Sequence, residues 1–266
     1  MRPQADHGEE SYIGTGRLTG LRTLVTGGDS GIGRAVCVAF AREGADVAFT
    51  WYDDERERSD AQETCALIEQ AGKRCVMQRL DVQDPRACEA FVKRVAEELG
   101  GLDVLVNNAA YQREQRSILE ITPEQLDSTF RTNIMGFFYM AQASLPHMEA
   151  GAVIINCGSV VALEGYATLL DYSATKGAIH TFTRSLALNL ADQGVRVNCV
   201  APGPVWTPLI PATMTHDTAH EFGEQTLWKR PAQPVEISPA FVFFASNESR
   251  YLTGEVIAPT GMGTSR

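Results

Sequence analysis

Short runs of β-branched and apolar residues alternate along this chain with longer stretches whose apolar positions recur every three or four residues. That alternation predicts strand–helix–strand units around a parallel sheet. Candidate strands are Leu21–Thr26, Asp46–Thr50, Cys75–Leu80, Val104–Asn107, Val153–Cys157, Arg196–Val200 and Glu255–Ala258. Helical patterns fall between them at about 31–43, 59–71, 85–99, 123–146, 172–191 and 235–246. Thr122-Pro123 followed by Glu124 and Gln125 is a good helix start, because proline lacks the N–H that a first turn leaves unpaired. Seven strands suffice for a doubly wound α/β sheet with helices on both faces.

Two stretches fall outside the rhythm. Residues 1–19 contain no apolar run of signal-peptide length and are too acidic for a transit peptide, so they are expected to form a surface arm. Residues 20–266 form one domain, within which Pro202 to Pro234, rich in Pro and Thr, offers no convincing strand. Its place after the sixth strand puts it over the carboxyl edge of the sheet, as a lid near residues 204–232.

Composition narrows the partners. With 266 residues and 44% hydrophobic content the chain can bury one large core, and no stretch approaches the roughly 20 apolar residues of a membrane span. A formal charge of −10 leaves no basic stripe for phosphate backbones, which disfavours nucleic acid and anionic membrane and favours small molecules. The cysteines at 37, 65, 75, 88, 157 and 199 form no C-x-x-C pair and are expected to be reduced thiols, which points to the cytoplasm.

The candidate chemistry begins where Leu24-Val25-Thr26 runs into Gly27-Gly28-Asp29-Ser30-Gly31-Ile32-Gly33, directly before a helical pattern. Glycines permit a tight turn and let the backbone approach a pyrophosphate, whose charge then meets the unpaired N–H groups of the helix N-terminus. The spacing is T-G-x-x-x-G-x-G, and no Gly-Lys-Ser/Thr follows, which excludes a P-loop. A methyltransferase also opens on a glycine-rich turn and survives to this point.

The next motif separates them. Tyr172 and Lys176 lie one helical turn apart in Tyr-Ser-Ala-Thr-Lys and share a face. A phenol ordinarily titrates near pH 10, and an adjacent ammonium favours the phenolate, giving a group able to act as general base on an alcohol or general acid on a carbonyl. Ser159, at the end of the Val153–Cys157 strand, places a hydroxyl at the same sheet edge. Taken alone, Tyr-x-x-x-Lys is an ordinary exposed helical pair; thirteen residues after that serine, in a chain with the glycine turn, it reads as chemistry.

Together these residues resemble the short-chain dehydrogenase/reductase family, from about Gly20 to Gly261. The likeness rests on Thr26-Gly27…Gly31-Ile32-Gly33, Leu80-Asp81-Val82, Asn107-Asn108-Ala109-Ala110, Asn133, Ser159, Tyr172…Lys176 and Pro202-Gly203. The resemblance implies a Rossmann-like fold and an NAD(P)-dependent oxidoreductase moving a hydride between nicotinamide and a small carbonyl or alcohol. By it, Tyr172 is the acid/base, Ser159 orients the reacting oxygen, and Lys176 binds nicotinamide-ribose hydroxyls while tuning Tyr172. Asn133 would hold a water linking Lys176 to solvent; the competing reading is a polar helix residue bonded to backbone. Gly27, Asp29, Ser30, Gly31, Ile32 and Gly33 would meet the coenzyme phosphates and ribose, Asp81 and Val82 the adenine, and Asn108 the ribose side. Pro202 and Val205 would line the nicotinamide and Thr207 its carboxamide. The resemblance further implies a homotetramer.

The arm, the glycine turn and Gly203-Pro204-Val205-Trp206-Thr207-Pro208-Leu209 are similar to the glucose/ribitol dehydrogenase-like branch, whose sugar label says little about substrate. Two departures stand out: Ala110 where Gly is usual, and Gly261-Met262-Gly263 where paired glycines are usual. Acids at Asp29, Asp53 and Asp54 would repel a 2′-phosphate, whereas Arg56 and Arg58 would offset them, so local charge leans towards NAD over NADP. Gln112, Val161, Leu163, Tyr166, Leu169 and Trp206 are expected to line the substrate space. His216 and His220, four apart, are read as a solvated helix face and no metal site is expected; Phe137, Phe138 and Tyr139 are read as packing. The alternative function is a catalytically silent nucleotide sensor or scaffold on the same fold.

Overall fold

A computed structural model of the chain describes residues 4–52, 55–214 and 221–262. Its sheet has the strand order β3-β2-β1-β4-β5-β6-β7, every pairing parallel. The strands are β1 (Arg22–Val25), β2 (Asp46–Trp51), β3 (Cys75–Arg79), β4 (Val104–Asn107), β5 (Val153–Cys157), β6 (Arg196–Val200) and β7 (Val256–Ile257). All seven lie within the expected segments, apart from one residue at the end of β2.

The near-continuous apolar character of β4 and β5 follows from burial on both faces. Successive residues feed opposite layers. Val104 and Val106 face one core with Val36, Phe40, Phe241 and Phe244, while Leu105 faces the other with Phe91, Val95 and Met140. The first layer is carried by α1 (Gly31–Arg42), α2 (Glu55–Gln70) and the late helix Pro234–Ala245; the second by α3 (Pro85–Leu99) and residues 123–190. The order reverses between β1 and β4, and at such a switch point the crossovers leave opposite faces and open a crevice at the carboxyl edge.

The expected helix over 123–146 is three pieces: α4 (Pro123–Phe130), a widened π turn (Arg131–Met135), and α5 (Gly136–Ser144). The break is held from outside, since the buried Asn133 amide bonds both backbone groups of Tyr111. Next come α6 (Val161–Glu164), α7 (Leu170–Leu190), α8 (Leu209–Thr213) and α9 (Pro234–Ala245). The Pro202–Pro234 segment therefore contains α8, and it is stitched to itself by a parallel bridge between Val205 and Ala232.

Two expectations need correction. The leading segment is no free surface arm: Leu18 is fully buried and Tyr12 nearly so, the Tyr12 phenol donates to Glu43 at 2.7 Å, and Asp6 accepts from Val235 at the start of α9. Apolar spacing in so short a stretch gives no warning of this. Among the cysteines, Cys65 of α2 and Cys75 of β3 are disulfide-bonded, whereas Cys37, Cys88, Cys157 and Cys199 are free and buried. The pair lies across a helix-to-strand crossover, a juxtaposition that a spacing of ten residues does not announce, and the compartment argument loses those two thiols. Among the described residues no helix is long and apolar enough to cross a membrane. His216 and His220 lie outside the described residues.

Candidate active site

The glycine turn joins β1 to α1 as expected. Gly31 has φ +52°, a conformation that a side chain makes costly. Gly33 has no space for one: a Cβ there would stand 1.9 Å from the Gly27 carbonyl oxygen. Ser30 precedes α1 without a side-chain cap and the first turn carries no acid, leaving its N–H groups and partial positive charge for a ligand.

A cleft of about 450 Å³ opens there. Gly27, Asp29, Ser30, Gly31 and Ile32 form one end; Ser159, Tyr172, Lys176, Pro202 and Val205 form the other, and Thr207 crosses back to pack against Gly31. These groups come from the ends of β1, β5 and β6 and from the start of α7, and the parallel register delivers them to one edge. The space, the uncapped helix end and the glycine approach fit the diphosphate of a dinucleotide at the turn.

Other expected residues stand one layer back. Asn108 reaches the cleft wall but spends its amide on the carbonyls of Thr26 and Gly27, at 2.9 and 3.1 Å, so it braces the turn. Gly33, Asp81, Val82 and Asn133 are not in the lining. Asp81 accepts from the Gln83 N–H, and Val82 is buried in the second core layer. Asn133 also donates to the Thr175 hydroxyl at 3.0 Å, beside its two bonds to the Tyr111 backbone.

Around Tyr172 the electrostatics differ from the expectation in one respect. Burial pushes the phenol above its ordinary value; the Lys176 charge and hydrogen bonds from Ser159 and Lys176 pull down against it without prevailing. The ammonium acts in the expected direction, and desolvation of the half-buried phenol outweighs it. Lys176, itself 1% exposed, donates to the Cys157 carbonyl at 2.8 Å and stands 5.3 Å from the centre of the Tyr172 ring. Asp29 is pushed up to about 6 by burial and by the charge of Glu57.

On the substrate side Gln112, Val161, Tyr166 and Leu169 line the cleft as expected, joined by Met214, Phe222 and Gln225 of the Pro202–Pro234 segment. Leu163 instead turns outward at 63% exposure, and Trp206 stands outside the lining. One supporting residue escaped the sequence. Arg34, buried in α1, donates to the Asp29 carbonyl at 2.8 Å and to Glu63 of α2 at 2.9 Å, tying the glycine turn to that helix. Its place two residues before Val36 in an apolar run was the available signal.

Comparison with known proteins agrees with this geometry. The family described as "Enoyl-(Acyl carrier protein) reductase" matches residues 27–261. The chain is 51% identical over 261 residues to "Uncharacterized oxidoreductase YhdF" of Bacillus subtilis, covering 98% of this chain and 89% of that one. It is 48% identical over 266 residues to "Glucose and ribitol dehydrogenase homolog 2" of Arabidopsis thaliana, covering 98% and 91%. Among solved structures, a short chain dehydrogenase from Burkholderia cenocepacia in complex with NADP aligns with TM-score 0.85 and 34% identity over 92% of this chain and 98% of that one. With the parallel seven-stranded sheet, the glycine turn and the Ser, Tyr and Lys side chains at one edge, the chain belongs to the short-chain dehydrogenase/reductase family, as an oxidoreductase.

Proposed function

We propose that the chain reduces a small carbonyl compound, or oxidises the matching alcohol, with Tyr172 as general acid/base. The observation that carries this is the convergence of a half-buried phenol, an enclosed lysine and a serine hydroxyl at the end of the cleft away from the glycine turn. When bound, the nicotinamide gives or takes the hydride. The chain's own part is to move the proton. Tyr172 Oη passes it to the carbonyl oxygen, Ser159 holds that oxygen by a second hydrogen bond, and Lys176 stabilises the phenolate left behind. Gly27 to Gly33 would take the phosphates, and Pro202, Val205 and Thr207 the nicotinamide end. The segment near 204–232 serves as the lid that keeps water from the proton path.

The coenzyme is a nicotinamide adenine dinucleotide in either phosphorylation state. The lean towards NAD rests on Asp29, which lines the cleft, and on Asp53 and Asp54, which lie outside the described residues, and the solved relative that holds NADP gives it no support. Substrates are small ketones, aldehydes, sugars or polyols, in keeping with a wall that mixes Gln112, Tyr166, Leu169 and Met214. We further propose a homo-oligomer.

The test is Tyr172→Phe. Carbonyl-dependent oxidation of NADH or NADPH should fall at least about a hundredfold, since general acid catalysis contributes that much. Coenzyme affinity by fluorescence titration should stay within about twofold of the parent, because the ring is kept and only its hydroxyl is lost. Burial raises the phenol, so in the parent alcohol oxidation should climb with pH towards the alkaline side as the phenolate forms. Parental turnover by the phenylalanine variant would remove Tyr172 as the proton donor, whereas absence of turnover in the parent itself would favour the silent-sensor alternative.

A further inference from the structure

One buried charge beside the cleft has no part in proton transfer. Asp171, directly before Tyr172, is 4% exposed, and its three donors are all uncharged. The Thr129 hydroxyl donates to Oδ2 at 2.7 Å, the Gln125 amide donates to the same oxygen at 3.1 Å, and the Tyr172 backbone N–H donates to Oδ1 at 2.9 Å. Burying a carboxylate against neutral donors is expensive, and removing one partner leaves the rest unsatisfied.

The helix explains where this matters. α7 begins at Leu170 after a residue that offers no side-chain cap, so Asp171 itself takes up an orphan N–H of the first turn. Residues 171 and 175 are four apart and share a face, and Thr175 accepts from Asn133 while donating to the Tyr172 carbonyl at 2.7 Å. Residues 172 and 176 share the neighbouring face, turned to the cleft. One face of the helix start is thus fastened to α4 and the π turn, and the adjacent face presents the phenol and the lysine.

The fastening runs further. Gln125 accepts from Gln115 at 2.7 Å and donates to the Arg113 carbonyl at 3.3 Å, in the loop that supplies Gln112 to the substrate wall. We propose that Asp171 is a positioning residue that fixes the Tyr172 phenol relative to Lys176 and to the substrate wall. The proposal rests on Tyr172 being the acid/base.

Asp171→Asn keeps the volume and sets an amide N–H2 against either the Gln125 amide or the Tyr172 N–H. We expect kcat to fall by about tenfold or more, the penalty of a misplaced reacting group. Coenzyme affinity should stay within about twofold, because the glycine turn is remote from α4. The pH of half-maximal kcat for alcohol oxidation should move up, as a phenol displaced from Lys176 loses its Coulomb help, a shift that general loosening does not produce. Adding Gln125→Glu supplies an acceptor for the new amide while the Thr129 hydroxyl, which has the residue 125 carbonyl as its other acceptor at 2.8 Å, turns its hydrogen there, and should restore most of kcat. Should Asp171→Asn fail to fold, Thr129→Val is read instead, with a smaller fall in kcat and unchanged coenzyme affinity expected. Parental kcat in either single variant overturns the proposal, and so does a fall in kcat with no shift in the pH profile and no recovery in the double variant. Those results are separable from failure of the underlying reading, which Tyr172→Phe tests alone.

Discussion

A carboxylate far from the cleft shows how much a single side chain carries here. Glu43, fully buried, accepts from the Arg17 guanidinium at 2.6 Å, the Tyr12 phenol at 2.7 Å, and the backbone N–H groups of Thr15 and Arg17. Burial alone would raise its pKa, and these four donors outweigh that, bringing it down to about 2. Because the folded value lies below the unfolded one, the contribution is complete above about pH 4.5 and is lost as the pH falls towards 2. Its size at neutral pH is on the order of 3 kcal/mol. Glu43→Gln should therefore lower stability by about 2–3 kcal/mol at pH 7 and by much less at pH 3 in urea melts of parent and variant. An equal difference at both pH values would show the four donors to be immaterial. None of this was legible in the sequence, nor were Asp171 and Arg34, because the side chains and backbone groups that fasten them to other elements lie 26 to 46 residues away. Tyr172, Lys176 and Ser159 were legible because two sit one turn apart and the third ends a strand.

Among the elements, the glycine turn gives the sharpest expectation. Gly33→Ala would force its methyl onto the Gly27 carbonyl, at a cost of about 1–3 kcal/mol in stability. By spoiling the approach to the α1 N–H groups it should weaken coenzyme binding by about tenfold or more, measurable by fluorescence titration. Unchanged affinity would separate this turn from the coenzyme. Strands were readable because a doubly covered parallel sheet needs unbroken apolar runs. The division of 123–146 was not, since the apolar spacing continues through it and the π turn is held by Tyr111, 22 residues upstream of Asn133. The Pro202–Pro234 segment was flagged by composition, while α8 within it has only five residues and too short a period to register.

For the whole molecule, the exposed apolar side chains speak to assembly. Met135 and Phe138 are 44% and 41% exposed, three residues apart across the start of α5, and Phe138 stacks on Phe182 of α7 at 4.2 Å. This is the apolar surface on which the proposed homo-oligomer would place its interface. On the proposed homo-oligomer, Phe138→Glu should give a smaller species than the parent in light scattering, and an unshifted mass would place any interface elsewhere. The anchoring of Lys176 has a final consequence at this scale. Its ammonium is moored to a main-chain oxygen of β5, an acceptor that every amino acid at position 157 possesses. The location of the positive charge is thus written into the backbone, and the neighbouring walls can be redrawn for new molecules, by drift or by design, without relocating it.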